Sequence, residues 1–229
     1  MLEVHQISSL KYNYVYLIVD KASNKSACID PGTFDPVNVL LDKLQINLNY
    51  IFSTHHHYDH VGANLDLKEK YNCKIVGNKN DKERIPGIDI FLEDNDSFRL
   101  GESECKVLDV PGHTLGHIAY YFKDDNLLFC GDTLFSLGCG RLFEGTPDDM
   151  IKSLLKIRAL PDKTQIFCGH EYTLANAMFA QNLEPENRSL KIKIEEIKKN
   201  KHLNKPTIPS LLGEEKKLNP FLRFDEIDF

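Results

Sequence analysis

Four histidines and an aspartate fall within six positions of the stretch STHHHYDHVGAN (53–64), in a chain that has nine histidines in all. Imidazole nitrogens and carboxylate oxygens are donors that zinc, iron and manganese all accept. The stretch follows the apolar run NYIF and leads to a glycine, so it lies where a strand gives way to a turn. Alternate side chains of extended backbone point the same way. His55 and His57 therefore face one side and His56 the other, and His56 is expected to hydrogen-bond rather than to ligate. Asp59 and His60 fall on the turn that opens the next helix. A lone histidine in a polar loop would carry no such meaning; HxHxDH behind a buried strand does.

An ion held there needs further donors from other strand ends, and the sequence supplies them. VPGHTLGH offers His113, LLFCGDT offers Asp132 and IFCGHEY offers His170. Each follows an apolar run and a glycine, which lets the backbone bend and approach an ion closely. Asp30, at the end of the apolar SACID, reads equally as a partner of a ligand histidine or as a turn cap.

The elements that must position these residues follow from periodicity. YNYVYLIVD (12–20), SACID (26–30), NYIFST (49–54) and CKIVG (73–77) read as strands. DPVNVLLDKLQI (35–46), with Val37, Leu40, Leu41 and Leu44 on one face, and VGANLDLKEKYN (61–72) read as the helices between them. This alternation indicates an α/β layered architecture. From about 88 to 135 the texture changes to short strands (SFRL, CKVLDV, IAYYF, NLLFCGD) broken by turn residues. A helix over 147–159 opens with Pro and two acids, and TQIFCGH (164–170) is a further strand. The pattern beyond is helical, including 185–203, where Leu190, Ile194 and Ile197 share a face and the lysines solvate the other. A boundary is expected near 173.

Composition narrows the function classes. The chain has 229 residues, 41% hydrophobic and 27% charged, enough for a sizeable core. Its net charge of -6 speaks against neutralising nucleic-acid phosphates. No apolar run reaches the length of a membrane span, and the N-terminus has no secretory pattern. The six cysteines (28, 73, 105, 130, 139, 168) lack CxxC spacing and read as reduced thiols. A cytoplasmic protein with no membrane and no nucleic-acid partner is expected.

THHHYDHVGAN, PGHTLGH, FCGDTLF and CGHEYT together resemble the metallo-β-lactamase superfamily. GCGRLFEGTPDDM (138–150), GHEYTLANAMFA (169–180) and TIPSLLGEEKKLNPFLR (207–223) resemble, within it, the hydroxyacylglutathione hydrolases, or glyoxalase II. The resemblance covers residues 1 to 224. It implies a four-layer αβ/βα sandwich over 1–172 and a small helical, shortened substrate-binding part over 173–229. It further implies two divalent metal ions, zinc first with iron or manganese as alternatives. His55, His57 and His113 would hold one, Asp59, His60 and His170 the other, and Asp132 would bridge; His56 and His117 match positions that do not ligate. The implied reaction is hydrolysis of S-D-lactoylglutathione to D-lactate and glutathione, the second step of methylglyoxal detoxification. A hydroxide shared by the metals would attack, with Asp59 and Asp132 the catalytic carboxylates. Arg141 stands where the family has a basic residue touching glutathione, Phe143 where a tyrosine is frequent, and Tyr172 at a substrate-contacting tyrosine. The expected partner is the small-molecule thioester, bound by a monomer. Relatives carry basic residues beyond NPFLR, whereas FDEIDF (224–229) is acidic, so the grip on the substrate's glycine carboxylate is expected to be incomplete and to fall on Arg141 unless that side chain pairs with Glu144.

Rival readings share part of this signature. A persulfide dioxygenase of the same superfamily uses one iron on two histidines and an aspartate, and needs neither GRLFEGT nor the NPFLR segment. Another thioester hydrolase of the superfamily would share the donors. A nuclease would need a basic surface, and a non-catalytic relative would have lost donors, of which none is missing. No GxSxG is present to suggest a serine nucleophile.

Overall fold

The computed structural model describes residues 1–226. Strands β1 (Leu2–Ser9), β2 (Asn13–Asp20), β3 (Lys25–Ile29), β4 (Tyr50–Phe52), β5 (Lys74–Asn78) and β6 (Ile88–Leu92) form one sheet in that order. It is antiparallel from β1 to β3 and parallel from there. Helix α1 (Phe34–Leu44) links β3 to β4, and α2 (Tyr58–Val61) and α3 (Asn64–Tyr71) link β4 to β5. The second sheet holds β7 (Ser97–Leu100), β8 (Ser103–Asp109), β9 (Ile118–Phe122) and β10 (Leu127–Gly131). A ribbon, β11 (Leu134–Phe135) with β12 (Gly138–Cys139), and helix α4 (Pro147–Arg158) lead to β13 (Gln165–Cys168), which pairs parallel to β10. Helices α5 (Thr173–Leu183) and α6 (Arg188–His202) follow, then β14 (Ser210–Leu211) and α7 (Leu212–Leu218). Because β14 pairs with β13, the chain after 173 is tied into the second sheet.

The layers follow from a period of two in β2. Tyr14, Tyr16 and Ile18 face the second sheet, while Val15, Leu17 and Val19 face Val37 and Leu41 of α1 and Leu67 of α3. Both faces of β2 are covered, so the whole strand is buried. Aromatic rings fill the space between the sheets: Phe52 stacks on Tyr120 at 4.9 Å, and Tyr16 meets Phe129 and Phe167 at 5.6 and 5.3 Å. Met150, Leu154 and Ile157 of α4 join this cluster, giving the four-layer αβ/βα sandwich. Leu190, Ile194 and Ile197 of α6 form a separate small core with Ala177 and Ala180 of α5.

Three features differ from the sequence reading. MLEVHQISS is a strand, although its burial is irregular and its apolar residues do not alternate cleanly. The helix expected over 61–72 begins only at Asn64, set off from the turn of α2 by a break at Gly62, where a Cβ would lie 2.6 Å from the Gly32 carbonyl oxygen. β6 belongs to the first sheet, so the change of texture near 88 precedes the change of sheet. All six cysteines are unpaired, five of them buried. Among the described residues no helix is long and apolar enough to cross a membrane.

Asp20, at the end of β2, clips the two sheets together far from the histidines. Its buried carboxylate accepts from the Glu102 N–H (3.0 Å) and the Ser103 hydroxyl (3.1 Å) of the β7–β8 turn, and from the Ser23 hydroxyl (2.6 Å). Burial alone would raise its pKa, but these donors outweigh it and bring it down to about 2. A depressed carboxylate stabilises the fold above its unfolded pKa of roughly 4, and that contribution is lost as pH falls towards about 2. Asp20→Ala is therefore expected to cost about 1.5–3 kcal/mol near neutrality. In urea melts the gap from wild type should close between those two pH values; an unchanging gap would show that the carboxylate charge is not what matters.

Candidate metal centre and cleft

The histidine stretch occupies the loop after β4 and the single turn of α2. His55 and His60 are buried, with His57 at the head of that turn. His113 follows β8, Asp132 follows β10 and His170 follows β13, so loops at one end of both sheets meet. His55 Nε2 and His113 Nε2 each lie 3.1 Å from His57 Nδ1. His60 Nε2 is 3.3 Å from His170 Nε2, and Asp59 Oδ2 is 3.6 and 3.5 Å from those two nitrogens. Asp132 reaches both groups: Oδ1 is 3.5 Å from His60, and Oδ2 is 3.5 Å from His113 and 3.1 Å from His170. All seven side chains nominated from the sequence thus converge.

Three of the four histidines that present Nε2 are aimed by a bond at the other ring nitrogen. Asp30 accepts the Thr54 N–H and hydroxyl, both at 2.7 Å, so the Thr54 oxygen is left to accept from His55 Nδ1 at 3.0 Å. This fixes the His55 tautomer with its Nε2 lone pair facing the cluster. His60 Nδ1 donates to Asp30 at 3.1 Å, and His113 Nδ1 to the Arg141 carbonyl at 2.8 Å. Asp30 therefore serves the ligand-type histidines, one of its two readings from sequence; its φ of 53° is in the left-handed region that Asp tolerates better than most. Asp30 also clusters with His55 and His60 as a donor group, but its oxygens are already engaged. His117 accepts the Asp132 N–H at 3.1 Å and stacks on His55 at 4.6 Å, supporting the cluster without entering it. His56 points away, as alternation required, onto Asp81 at 3.1 Å.

The electrostatics suit a cation. Burial keeps His55 and His117 well below the ordinary histidine pKa and lowers His57 and His113, so their lone pairs are free. Burial opposes charge on Asp132 as well, but His60 and His170 outweigh it and hold its carboxyl well below the usual range. His60 is the converse: burial would neutralise it, yet Asp132 and Asp30 hold it well above its ordinary value. Asp132 Oδ1 and His170 Nδ1 are buried without a hydrogen-bond partner in the protein. An ion with bonds of 2.0–2.1 Å to tetrahedral ligands spaces them about 3.3 Å apart, close to the separations seen here. The residues present fit a metal ion.

A cleft of 580 Å³ opens over the cluster, lined among others by Arg141, Phe143, Tyr172, Ala175 and Asn176. Tyr172 stacks on His170 at 4.8 Å, and Phe143, 61% exposed, packs edge-on to His57 and His113. Arg141 has no ion pair among the described residues and sits 5.7 Å from the Phe143 ring, because Glu144 is taken by Arg84. Asp225 of the acidic end pairs with Arg158, while residues 227–229 lie outside the described ones. Sequence reasoning missed Asn13, whose amide donates to Asp59 Oδ2 at 2.9 Å, and the Asp81–Arg84–Glu144 network behind His56. A single polar residue in a strand or loop has no periodic signal, and only the tertiary contact reveals it.

Residues 10–170 match the metallo-beta-lactamase superfamily, and residues 171–228 match the hydroxyacylglutathione hydrolase C-terminus. A hydroxyacylglutathione hydrolase of Methylococcus capsulatus is 51% identical over 223 residues, 97% of this chain and 87% of that protein. The chain belongs to the hydroxyacylglutathione hydrolase family. The Pelagibacter ubique protein of that name is also 51% identical, covering 97% of this chain and 93% of its own. Among solved structures, ETHE1 from Myxococcus xanthus superposes with a TM-score of 0.73 at 25% identity, covering 99% of this chain and 92% of its own. The hydroxyacylglutathione hydrolase family is thus matched on both sides of residue 170, in the sandwich and in the helical segment.

Gly169 tests how tightly the cluster is built. A Cβ there would lie 2.4 Å from Asp132 Oδ1 and 2.7 Å from His60 Cε1. Gly169→Ala keeps every donor but must displace two of them, so metal content by atomic absorption and activity should both fall at least ten-fold. A variant with wild-type metal content and rate would mean the donors have slack to spare.

Proposed function

We propose that this chain hydrolyses S-D-lactoylglutathione and related 2-hydroxyacyl thioesters of glutathione to the hydroxy acid and free glutathione. The observation that carries this reading is the wall of the cleft. Tyr172, Ala175 and Asn176 face the candidate metal cluster and belong to the segment that matches the hydroxyacylglutathione hydrolase C-terminus. The two divisions of the chain would be a catalytic part over 1–172 and a substrate-binding part over 173–229.

His55, His57 and His113 would hold one divalent ion and Asp59, His60 and His170 a second, with Asp132 serving both; zinc is the first choice, and iron or manganese suit the same nitrogen and oxygen donors. Bound there, such ions supply Lewis-acid polarisation of a carbonyl and lower the pKa of water. The protein's part is to place the thioester. Asp132, touching both groups, fixes their spacing. The exposed guanidinium of Arg141 can grip a substrate carboxylate in bidentate fashion. Phe143 offers ring surface to the peptide and no hydroxyl, so one hydrogen bond common in relatives is absent. The Tyr172 phenol, pushed above its usual pKa by burial and by Asp132 and Asp59, stays protonated and can donate to the substrate. A thiolate leaves readily, so no dedicated acid is required.

Hydrolysis of S-D-lactoylglutathione, other acyl thioesters and a β-lactam, with metal content measured on the same sample, tests the reading. Preference for the glutathione thioester with two equivalents of metal is expected; oxygen uptake on glutathione persulfide with one iron would replace it with a dioxygenase.

Arg141→Ala should raise KM for the glutathione thioester by an order of magnitude or more, since a hydrogen bond to a charged group is worth about 1.5–3 kcal/mol. The increase should be largely absent for a thioester without peptide carboxylates, and added salt should shrink it. Equal losses on both substrates would make Arg141 structural.

A further inference from the structure

The tip of the β1–β2 hairpin reaches the candidate metal centre through one side chain. Asn13 is buried, and its amide nitrogen donates to Asp59 twice, to Oδ2 at 2.9 Å and to the backbone oxygen at 3.3 Å. The same hairpin is bonded to the loop that carries His170. Asn13 and His170 form an isolated antiparallel bridge, the Tyr14 N–H donates to the Gly169 carbonyl at 2.8 Å, and the Glu171 N–H to the Tyr12 carbonyl at 2.9 Å. Asp59 and His170 come from different sheets; the Asn13 side chain holds Asp59 while the backbone of its neighbours Tyr12 and Tyr14 holds the His170 loop.

Asp59 needs such a hold. Its carboxylate is 38% exposed, so its surroundings alone leave it room to turn towards solvent. It sits on a one-turn helix whose N-cap makes no side-chain bond, and short helices are marginal without tertiary support. His55, His57 and His113, by contrast, take their support from Thr54, the Arg141 carbonyl and one another. Among the described residues the Asn13 side chain bonds to Asp59 alone.

We propose that Asn13 is a positioning residue that sets the affinity of one ion, the one held by Asp59, His60 and His170, and leaves the His55–His57–His113 ion untouched. It acts by locking the Asp59 carboxylate at a fixed distance from His170. The inference rests on the two-ion reading given above.

The test is zinc titration of chelator-stripped wild type and Asn13→Ala, by calorimetry and by competition with a chromophoric chelator. Wild type should take two equivalents. In Asn13→Ala one of the two equivalents should lose affinity ten- to hundred-fold, the usual effect of removing a residue that orients a metal ligand. The other equivalent should stay within about two-fold. Because Asn13 acts through Asp59, adding Asn13→Ala to Asp59→Ala should cause no further loss of zinc affinity. Asn13→Ser, whose hydroxyl is too short to span the two Asp59 oxygens, should reproduce the selective loss and is the variant to use if the alanine form does not fold by circular dichroism. Equal weakening of both equivalents, no weakening, or additive losses in the double variant would overturn the proposal. A wild type that takes a single equivalent would overturn the two-ion reading and the inference with it, whereas two equivalents in wild type with any of those variant outcomes would overturn the inference alone.

Discussion

The structure turns on a constraint between sheets. Each donor group takes side chains from both: His55 and His57 come from the first sheet and His113 from the second, Asp59 and His60 from the first and His170 from the second. Donor atoms 3 to 4 Å apart require that the sheets be fixed to a fraction of an ångström, and the sandwich core supplies that rigidity. Interlocking rings such as Phe52 on Tyr120 and Tyr16 on Phe129 pack at crystal-like density and resist sliding. At the opposite edge Asp20 joins β2 to the β7–β8 turn. The core therefore lies upstream of the chemistry: if it slips, the histidines no longer meet.

The cluster works against the fold that holds it. Five of the seven donors are buried, and several charged or titratable groups face one another there. Burying such groups unpaired costs several kcal/mol each. Part of this is offset by the placing of His60 between Asp132 and Asp30, whose carboxylates hold its pKa well above the ordinary value. A bound ion would add positive charge beside these carboxylates and give the orphaned Asp132 Oδ1 a partner. Stability and metal binding are then one linked quantity, because an ion that binds the folded chain alone stabilises it by mass action.

Much of this was legible in the sequence, for identifiable reasons. The donors stand at strand ends, His113, Asp132 and His170 behind a glycine and the other four directly after NYIFST, and the strands carry apolar patterns that survive without tertiary context. Leu190, Ile194 and Ile197 announced the α6 core by helical spacing alone. β1 escaped because its residues are only partly buried, so alternation has no force there. The break at Gly62 escaped because it arises from the close approach of the Gly32 backbone, a contact between distant segments. Whether Asp30 served a ligand or a turn depended on where Thr54 and His60 came to lie, which local pattern does not encode.

Arg141 shows how the unread part of the sequence shapes the cleft. The residues nearest it in the chain offer Glu144 as an obvious partner. That carboxylate is instead engaged by Arg84, which also binds Asp81, which in turn holds His56. Glu144 additionally accepts the Leu115 N–H, pinning the His113 loop. One network of four side chains thus spends the acid that would have neutralised Arg141, while fixing the loops on either side of two candidate ligands. The guanidinium is left over the Phe143 ring at the cleft mouth with its donors unengaged among the described residues. A cation in that position, beside donors suited to metal ions, would complement the proposed substrate, a peptide thioester whose carboxylates lie away from the scissile bond.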